Sequence, residues 1–395
     1  MALLFAFAVL LLVAVLISGF ARGTALSTAV LFLAAGFVLG PGVLDVIGIH
    51  PGDDMVGTVS KLALFAVLFT DGQRLAAHEL RATWRLPGRA LLFGLPLTFA
   101  ITAVLAMVIV GLPPLEACLV AAVLAPTDPV FASAIVGRGE VPQRLRRLLN
   151  VESGLNDGFA LPATLVLIAV LKGNHAGFLE VVGELLLGIA IGVVVPLIVA
   201  ALLRLRFISV TPVYAALTPV AIGLIVFAVS GVTHANLYLA AFSAGITIAT
   251  AAPEVRDSFH RFGELVTELL KLLAILVFGT LVTPTLLVDA RLPGYAFGLL
   301  VLVLARPAAV MLALIGSHLH LDERLSAAWF GPKGFSSVVY ALIVLGSGAG
   351  NAPEMFTLIV VAIVMSIVAH SSTDVPIAKY FGRAKAEASA HQPDG

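Results

Sequence analysis

One cysteine, Cys118, stands in 395 residues, and it lies in an apolar run. That excludes an intrachain disulfide and a thiolate metal site. Charge is also scarce: Asp, Glu, Lys and Arg make up 12% of the chain, against about 25% in soluble domains. Acidic and basic residues balance at 23 each, so no excess of one sign points to nucleic acid or an acidic surface. There is no Gly-Lys-Ser/Thr phosphate loop and no polar stretch long enough for a nucleotide domain. ATP-driven work is therefore not expected. The nine histidines are scattered without metal-ligand spacing. On these grounds neither a cofactor nor enzymatic chemistry is expected.

What the chain has instead is apolar length. Hydrophobic residues make up 60% of it, and the mean hydropathy is +1.09. This composition predicts an all-α polytopic membrane protein. A bilayer core takes about 20 apolar residues per helix. Applied along the chain, that length gives about thirteen spans, at roughly 3–20, 25–43, 55–72, 89–111, 115–137, 148–171, 178–203, 213–231, 236–250, 262–287, 294–316, 325–346 and 354–373. Gly40-Pro41-Gly42, Pro87-Gly88, Pro113-Pro114, Pro253, Pro293-Gly294 and Pro353 punctuate them. Leu3 to Phe20 has no basic flank and no small-x-small cleavage site, so it is expected to be a retained helix. Residues 1–375 are expected to form one transmembrane domain and 376–395 a short cytoplasmic tail.

Basic residues set the orientation. One set of alternate loops and the tail hold seventeen: Arg22, Arg74, Arg81, Arg85, Arg89, Arg138, Arg144, Arg146, Arg147, Arg204, Arg206, Arg256, Arg261, Arg324, Lys379, Arg383 and Lys385. The opposite loops hold only Lys172 and Arg291. The N-terminus is thus expected outside and the C-terminus in the cytoplasm, in a plasma or bacterial inner membrane. Spans five and twelve are each interrupted midway, by Pro126-Thr127-Asp128-Pro129 and by Gly331-Pro332-Lys333-Gly334. They lie an odd number of spans apart and so enter from opposite sides. Paired broken helices of opposite direction predict an inverted repeat of the kind secondary transporters use.

The polar residues inside these spans carry the chemistry, because an ionisable group in lipid is costly without a purpose. Pro126 and Pro129 should unwind about a turn around Thr127 and Asp128. Carbonyls freed there can coordinate a cation. Asp128 is expected to stand at the amides that open the second half of its own span. On span six, Ser153 and Asp157 are four apart and share a face, with Glu152 and Asn156 on an adjacent one. Glu152 and Asp157 lie roughly 140° apart around a helix. Ser153 and Asp157 are therefore expected to line a cavity, Asn156 to brace it, and Glu152 to face a neighbouring helix. Gly154 and Gly158 should let another helix approach closely. Arg306 lies mid-span and needs a partner, for which Glu152 is the choice. Lys333 is expected to neutralise half-helix carbonyls at its break. Each motif also has a bland reading, as a proline kink or a structural polar cluster. Glu264, Glu268 and Lys271 read as a helix-surface ion pair, and Asp71 as an end cap.

Ala125-Pro126-Thr127-Asp128-Pro129 and Glu152-Ser153-Gly154-Leu155-Asn156-Asp157-Gly158 resemble the two signature motifs of the cation:proton antiporters, specifically the electroneutral NhaP-like sodium/proton exchangers. The resemblance extends over all the spans. It implies that Asp157 alternately carries the cation and the proton. Asp128, Ser153 and Thr127 (through its carbonyl) would add to the cation site, and Asn156 would hold it together. Glu152 would pair with Arg306, a position at which electrogenic relatives carry lysine. Asn156-Asp157, in place of Asp-Asp, places the chain with the one-for-one exchangers. Lys333 departs from the arginine that many relatives have there, which keeps the charge but loses the bidentate fork. The resemblance further implies a core around spans 4–6 and 11–13 and a homodimer formed by the remaining helices.

Proton and cation each neutralise one carboxylate, and removal from water favours the neutral form. If only the loaded or protonated site can switch sides, the membrane protein exchanges a monovalent cation, sodium first, for a proton without nucleotide. A passive cation channel is the nearer alternative, although a single buried site suits occlusion better than conduction. An intramembrane aspartyl protease using Asp128 and Asp157 is the other. It lacks the Gly-x-Gly-Asp context and leaves Ser153 and Asn156 unexplained.

Overall fold

The computed structural model of the protein describes residues 1–21, 28–50, 52–75, 84–128, 141–173, 175–205 and 210–390. Pro129 and the rest of expected span five lie outside the described residues. So do Arg22, Arg81, Arg138 and Arg206, and the side chains of Arg261 and Lys385.

The described residues are helical, with no strand among them. In chain order the main helices are α1 (Ala2–Ala21), α2 (Thr28–Leu39), α3 (Asp54–Gln73), α4 (Arg85–Val110), α5 (Pro114–Leu124), α6 (Gln143–Leu171) and α7 (His175–Leu203). Then come α8 (Thr218–Thr233), α9 (Leu237–Ala251), α10 (Pro253–Leu281), α11 (Arg291–Ala313), α12 (Leu321–Trp329), α13 (Phe335–Ser347) and α14 (Ala352–Ala390). Among the described residues, seven helices are long and apolar enough to cross a bilayer, or eight if α9 and the start of α10, bent by 115°, count as one span. The shorter apolar helices are α2, α5, α8 and α13.

Local chemistry sets the helix ends. Gly111, at φ +84°, closes α4 in the left-handed conformation that glycine adopts without strain. Pro114, which has no N–H to waste, opens α5. Asn236 caps α9 by accepting the Leu239 N–H at 2.9 Å. The last helix departs from expectation, because α14 continues past 373 through His370-Ser371-Ser372-Thr373-Asp374. Hydropathy marks that stretch as an end, but Ser372 and Thr373 bond back to the Val368 and Ala369 carbonyls, which absorbs their polarity within the helix.

The chain forms two compact units. The first comprises Met1–Val56, Arg85–Ser153 and Ile275–Gly395. One buried cluster there joins Leu145, Leu148 and Leu149 of α6, Val310 of α11, Ala327 and Ala328 of α12, Phe330, and Ala378 and Phe381 of α14. This cluster fixes the first turns of α6 against α11 and α12. The second unit comprises Gly57–Trp84 and Gly154–Ala274. Its helices meet through glycine. A Cβ on Gly72 would lie 2.5 Å from the Phe242 carbonyl oxygen, and one on Gly245 would collide with the Phe69 carbonyl. Gly188 and Gly192 of α7 meet the α9 backbone in the same way. Thr70 of α3 and Thr267 of α10 bond at 2.8 Å.

Backbone against backbone leaves the α3–α9 crossing no room for a methyl group. Gly245→Ala should therefore lower stability by about 1–3 kcal/mol, the usual cost of overpacking. Thermal unfolding of the purified protein in detergent checks this, and an unchanged midpoint would contradict the close crossing.

Candidate functional site

Two non-helical segments of the first unit lie alongside each other. One follows α5 (Ala125–Asp128), and the other, Phe330–Gly334, separates α12 from α13. Asp128 N–H donates to the Pro332 carbonyl at 2.9 Å. Backbone stripped of helix in an apolar interior needs a partner for each polar group, and here those partners come from the opposing segment. Lys333 Nζ donates to the Ala125 and Pro126 carbonyls at 3.4 and 3.3 Å, at the C-terminal end of α5. Ser337 Oγ takes the Val123 carbonyl at 2.8 Å. In return, Asp128 Oδ2 accepts the Phe335 N–H at 3.0 Å, at the start of α13. Cation at a C-terminus and anion at an N-terminus is the favourable arrangement for helix dipoles. Both charges are nearly sealed from solvent, at 4% exposure for Asp128 and 1% for Lys333.

The amides expected for Asp128, in the second half of its own span, lie outside the described residues. Among the described residues Asp128 takes an amide of α13, and Lys333 takes carbonyls at the end of α5, because the two segments run close enough for each charge to reach a helix end across the crossing. The glycines of Gly331-Pro332-Lys333-Gly334 make that proximity possible. A Cβ on Gly334 would overlap Asp128, and one on Gly331 would overlap the Arg306 side chain.

Arg306 sits behind the same break. A π-helical turn, Val301–Ala305, immediately precedes it in α11, and Pro307 follows. Such widened turns absorb the amide a proline lacks. Arg306 Nη1 and Nη2 donate to Glu152 Oε1 and Oε2 at 2.6 and 3.2 Å, a bidentate pair with both side chains buried. Nη2 also donates to the Phe330 carbonyl at 3.2 Å. The guanidinium thereby ties α6 to the end of α12. From α14, Ser366 Oγ accepts the Lys333 N–H at 2.7 Å, and His370 Nε2 lies 2.9 Å from the Trp329 carbonyl oxygen.

The remaining site residues lie on or beside α6. Thr127 Oγ1 and Ser153 Oγ are 3.2 Å apart and both buried, so Thr127 offers a hydroxyl as well as the carbonyl expected of it. Asn156 and Asp157 are buried further along the same continuous helix, Asp157 one turn beyond Ser153 on its face. Gly158 does face a close neighbour, since a Cβ there would sit 2.6 Å from the Phe242 ring, but that neighbour is a side chain rather than a helix backbone. Among the described residues, Gly154 meets only ordinary contact with Leu75, at 3.8 Å. Elsewhere in the second unit, Glu264 pairs with Arg74, which also takes Asp71. Sequence reasoning did not reach Ser366, Ser337 or the bridge from Arg144 to the buried Glu323 (2.8 Å). Only the four-residue spacing of Ser366 and His370 in apolar sequence hinted at the first.

The site thus gathers buried hydroxyl and carboxylate oxygens beside two helix ends, each capped by the opposite charge, with one buried acid held by a guanidinium. Residues 7–380 match the transmembrane domain of the sodium/hydrogen exchangers, and the chain belongs to that family. It is 27% identical over 379 residues to the K(+)/H(+) antiporter NhaP2 of Shewanella baltica, covering 93% of this chain and 64% of that protein. It is 26% identical over 328 residues to the K(+)/H(+) antiporter NhaP of Alkalimonas amylolytica, covering 82% and 57%. The chain thus spans about three-fifths of the length of these relatives. Its fold is similar to that of the sodium proton antiporter MjNhaP1 from Methanocaldococcus jannaschii at pH 8, with a TM-score of 0.79 at 18% identity over 96% of this chain and 97% of that one. The protein is an integral membrane protein.

The Glu152–Arg306 pair generates a prediction. Removing one partner leaves a buried charge uncompensated, which costs about 3–5 kcal/mol, whereas replacing both by apolar residues of similar volume costs much less. Arg306→Met should therefore lower the thermal midpoint more than Arg306→Met combined with Glu152→Met. Equal or reversed losses would show the pair to be of no structural consequence.

Proposed function

We propose that the protein is a secondary antiporter that exchanges one monovalent cation for one proton by alternating access. The observation that carries this reading is the buried crossing of the two breaks beside α6. There the Thr127 and Ser153 hydroxyls meet, while Lys333 sits on helix-end carbonyls and Glu152 is held by Arg306. In this reading Asp157, on the Ser153 face of α6, takes either the cation or the proton. Asp128, Thr127 and Ser153 contribute to the cation site, and Asn156 braces it. Glu152, Arg306 and Lys333 stabilise the scaffold. No cofactor or nucleotide enters. Similar proteins are named for potassium and for sodium. Sodium is our first choice of cation, with lithium and potassium as its competitors.

The arrangement in the membrane follows the same reading. The shorter apolar helices complete thirteen spans, with the N-terminus outside and the C-terminus in the cytoplasm. The two breaks mark an inverted repeat. Residues 1–375 form the transmembrane domain and 376–395 a cytoplasmic tail. The protein works as a homodimer in the cytoplasmic membrane, in pH homeostasis.

The physical logic is competition. A proton and a cation each neutralise one carboxylate, and an empty charged site is costly to carry through lipid. One-for-one exchange moves no net charge, so an imposed membrane potential should leave the rate unchanged. Asp157→Asn should abolish sodium-induced dequenching of a pH-sensitive dye in proteoliposomes while leaving an assembled protein. Undiminished activity would remove Asp157 from the site. Because protons occupy the site at low pH, the apparent KM for sodium should rise as pH falls. A KM independent of pH would refute the competition.

A further inference from the structure

The exchange reaction as described makes no use of α14, yet two of its side chains grip the break between α12 and α13. Ser366 and His370 are four residues apart and share one face of α14. Both are buried. Ser366 Oγ accepts the Lys333 N–H, and His370 Nε2 faces the Trp329 carbonyl oxygen. A carbonyl oxygen only accepts, so Nε2 donates to it when it carries the ring hydrogen. His370 Nδ1 lies 3.1 Å from Ser366 Oγ and 2.7 Å from the Ser366 carbonyl oxygen. Both ring nitrogens thus face carbonyl oxygens, and each donates when it carries the ring hydrogen. Polar contacts run without a gap from the Lys333 amide through Ser366 and His370 to the Trp329 carbonyl. They join the last residue of α12 to the fourth residue of the non-helical segment. The imidazole also lies against the Trp329 ring, at 5.1 Å between centroids, and Trp329 Nε1 donates to Thr373 Oγ1, one turn further along α14.

We propose that Ser366 and His370 are positioning residues. They form a two-point brace that holds 329–333 in register, and so hold Lys333 on the α5 carbonyls and Phe335 N–H on Asp128. Neither residue touches the transported ions. Pro332 has no amide of its own, and Gly331 and Gly334 give the segment little intrinsic stiffness. The brace supplies from a neighbouring helix the rigidity that the segment's own sequence lacks.

The test has two arms, of which only the transport arm rests on the antiport reading. Hydrogen–deuterium exchange of the purified protein reads the brace directly. Ser366→Ala and His370→Ala should speed exchange at the Lys333 and Gly334 amides about tenfold. In proteoliposomes the same variants should slow transport about fivefold and raise the apparent KM for sodium, as misplacement of a binding group does. Ser366→Thr keeps the hydroxyl and His370→Gln keeps a donor at the Nε2 position, so both should stay within about twofold of the parent in both arms. Unchanged amide protection in the alanine variants overturns the brace. Loosened amides with parental transport overturn the positioning role. A parent that exchanges no cation, with loosened amides in the variants, supports the brace and overturns the antiport reading. If His370→Ala does not fold, Ser366→Ala reads the same amides after loss of one oxygen atom.

Discussion

The fold of the first unit depends on one constraint: helix-free backbone inside an apolar body must have its polar groups met. Phe330–Gly334 meets it on three sides. The segment after α5 accepts and donates at Pro332, Lys333 and Phe335, Arg306 of α11 takes the Phe330 carbonyl, and α14 takes the Trp329 carbonyl and the Lys333 amide. No single helix could supply these partners, since each side reaches only the groups facing it. The crossing therefore requires α11, α14 and the end of α5 to be assembled around it, and the buried cluster of α6, α11, α12 and α14 provides much of that assembly. Polar satisfaction and apolar packing fix the same arrangement, as expected of sequences whose local and global preferences agree.

Charge placement follows from the same geometry. Four ionisable side chains of the first unit's site are buried, and each is set against the opposite charge or a helix end. The guanidinium is used where a planar fork matches a carboxylate, at Glu152. The ammonium is used where one compact charge must reach two carbonyls, those of Ala125 and Pro126. The lysine at 333 thus suits its contacts. A flexible stem ending in three donors serves two adjacent helix-end carbonyls without a planar surface to match.

Much of this was legible in the sequence. The helical, membrane-spanning character follows from apolar length, and the Glu152–Arg306 pair follows from two opposite charges that lipid would not tolerate apart. The helical spacing of Ser153, Asn156 and Asp157 carries through because α6 is continuous. What could not be read was which break lies against which helix end. Asp128 and Lys333 carry the right signs for an N-terminus and a C-terminus, but spacing along the chain does not say whose. Gly331 and Gly334 read as helix breakers, whereas their decisive property is the space they leave for Arg306 and Asp128. Gly154 reads as a packing glycine, and none of the described residues packs tightly on it. Ser366 and His370 fall near the polar end of an apolar run, where hydropathy marks a boundary and conceals a contact.

The division among the acids bears on mechanism. A buried bidentate salt bridge contributes little net stability, because desolvating both ions offsets most of their attraction. What it does supply is registry, since the carboxylate and guanidinium planes must meet in one orientation. Glu152 stands beside Ser153 on α6, so holding Glu152 fixes the rotation of the first turns of α6 within the first unit. The structural acid and the proposed transporting acid are five residues apart, and that spacing lets one helix be anchored on one side while offering a ligand on another. A spacing of four would put both carboxylates on one face, where a single cation would neutralise both or Arg306 would compete for both. The proposed separation of roles on α6 is thus one that helical geometry permits, given a fixed guanidinium on α11.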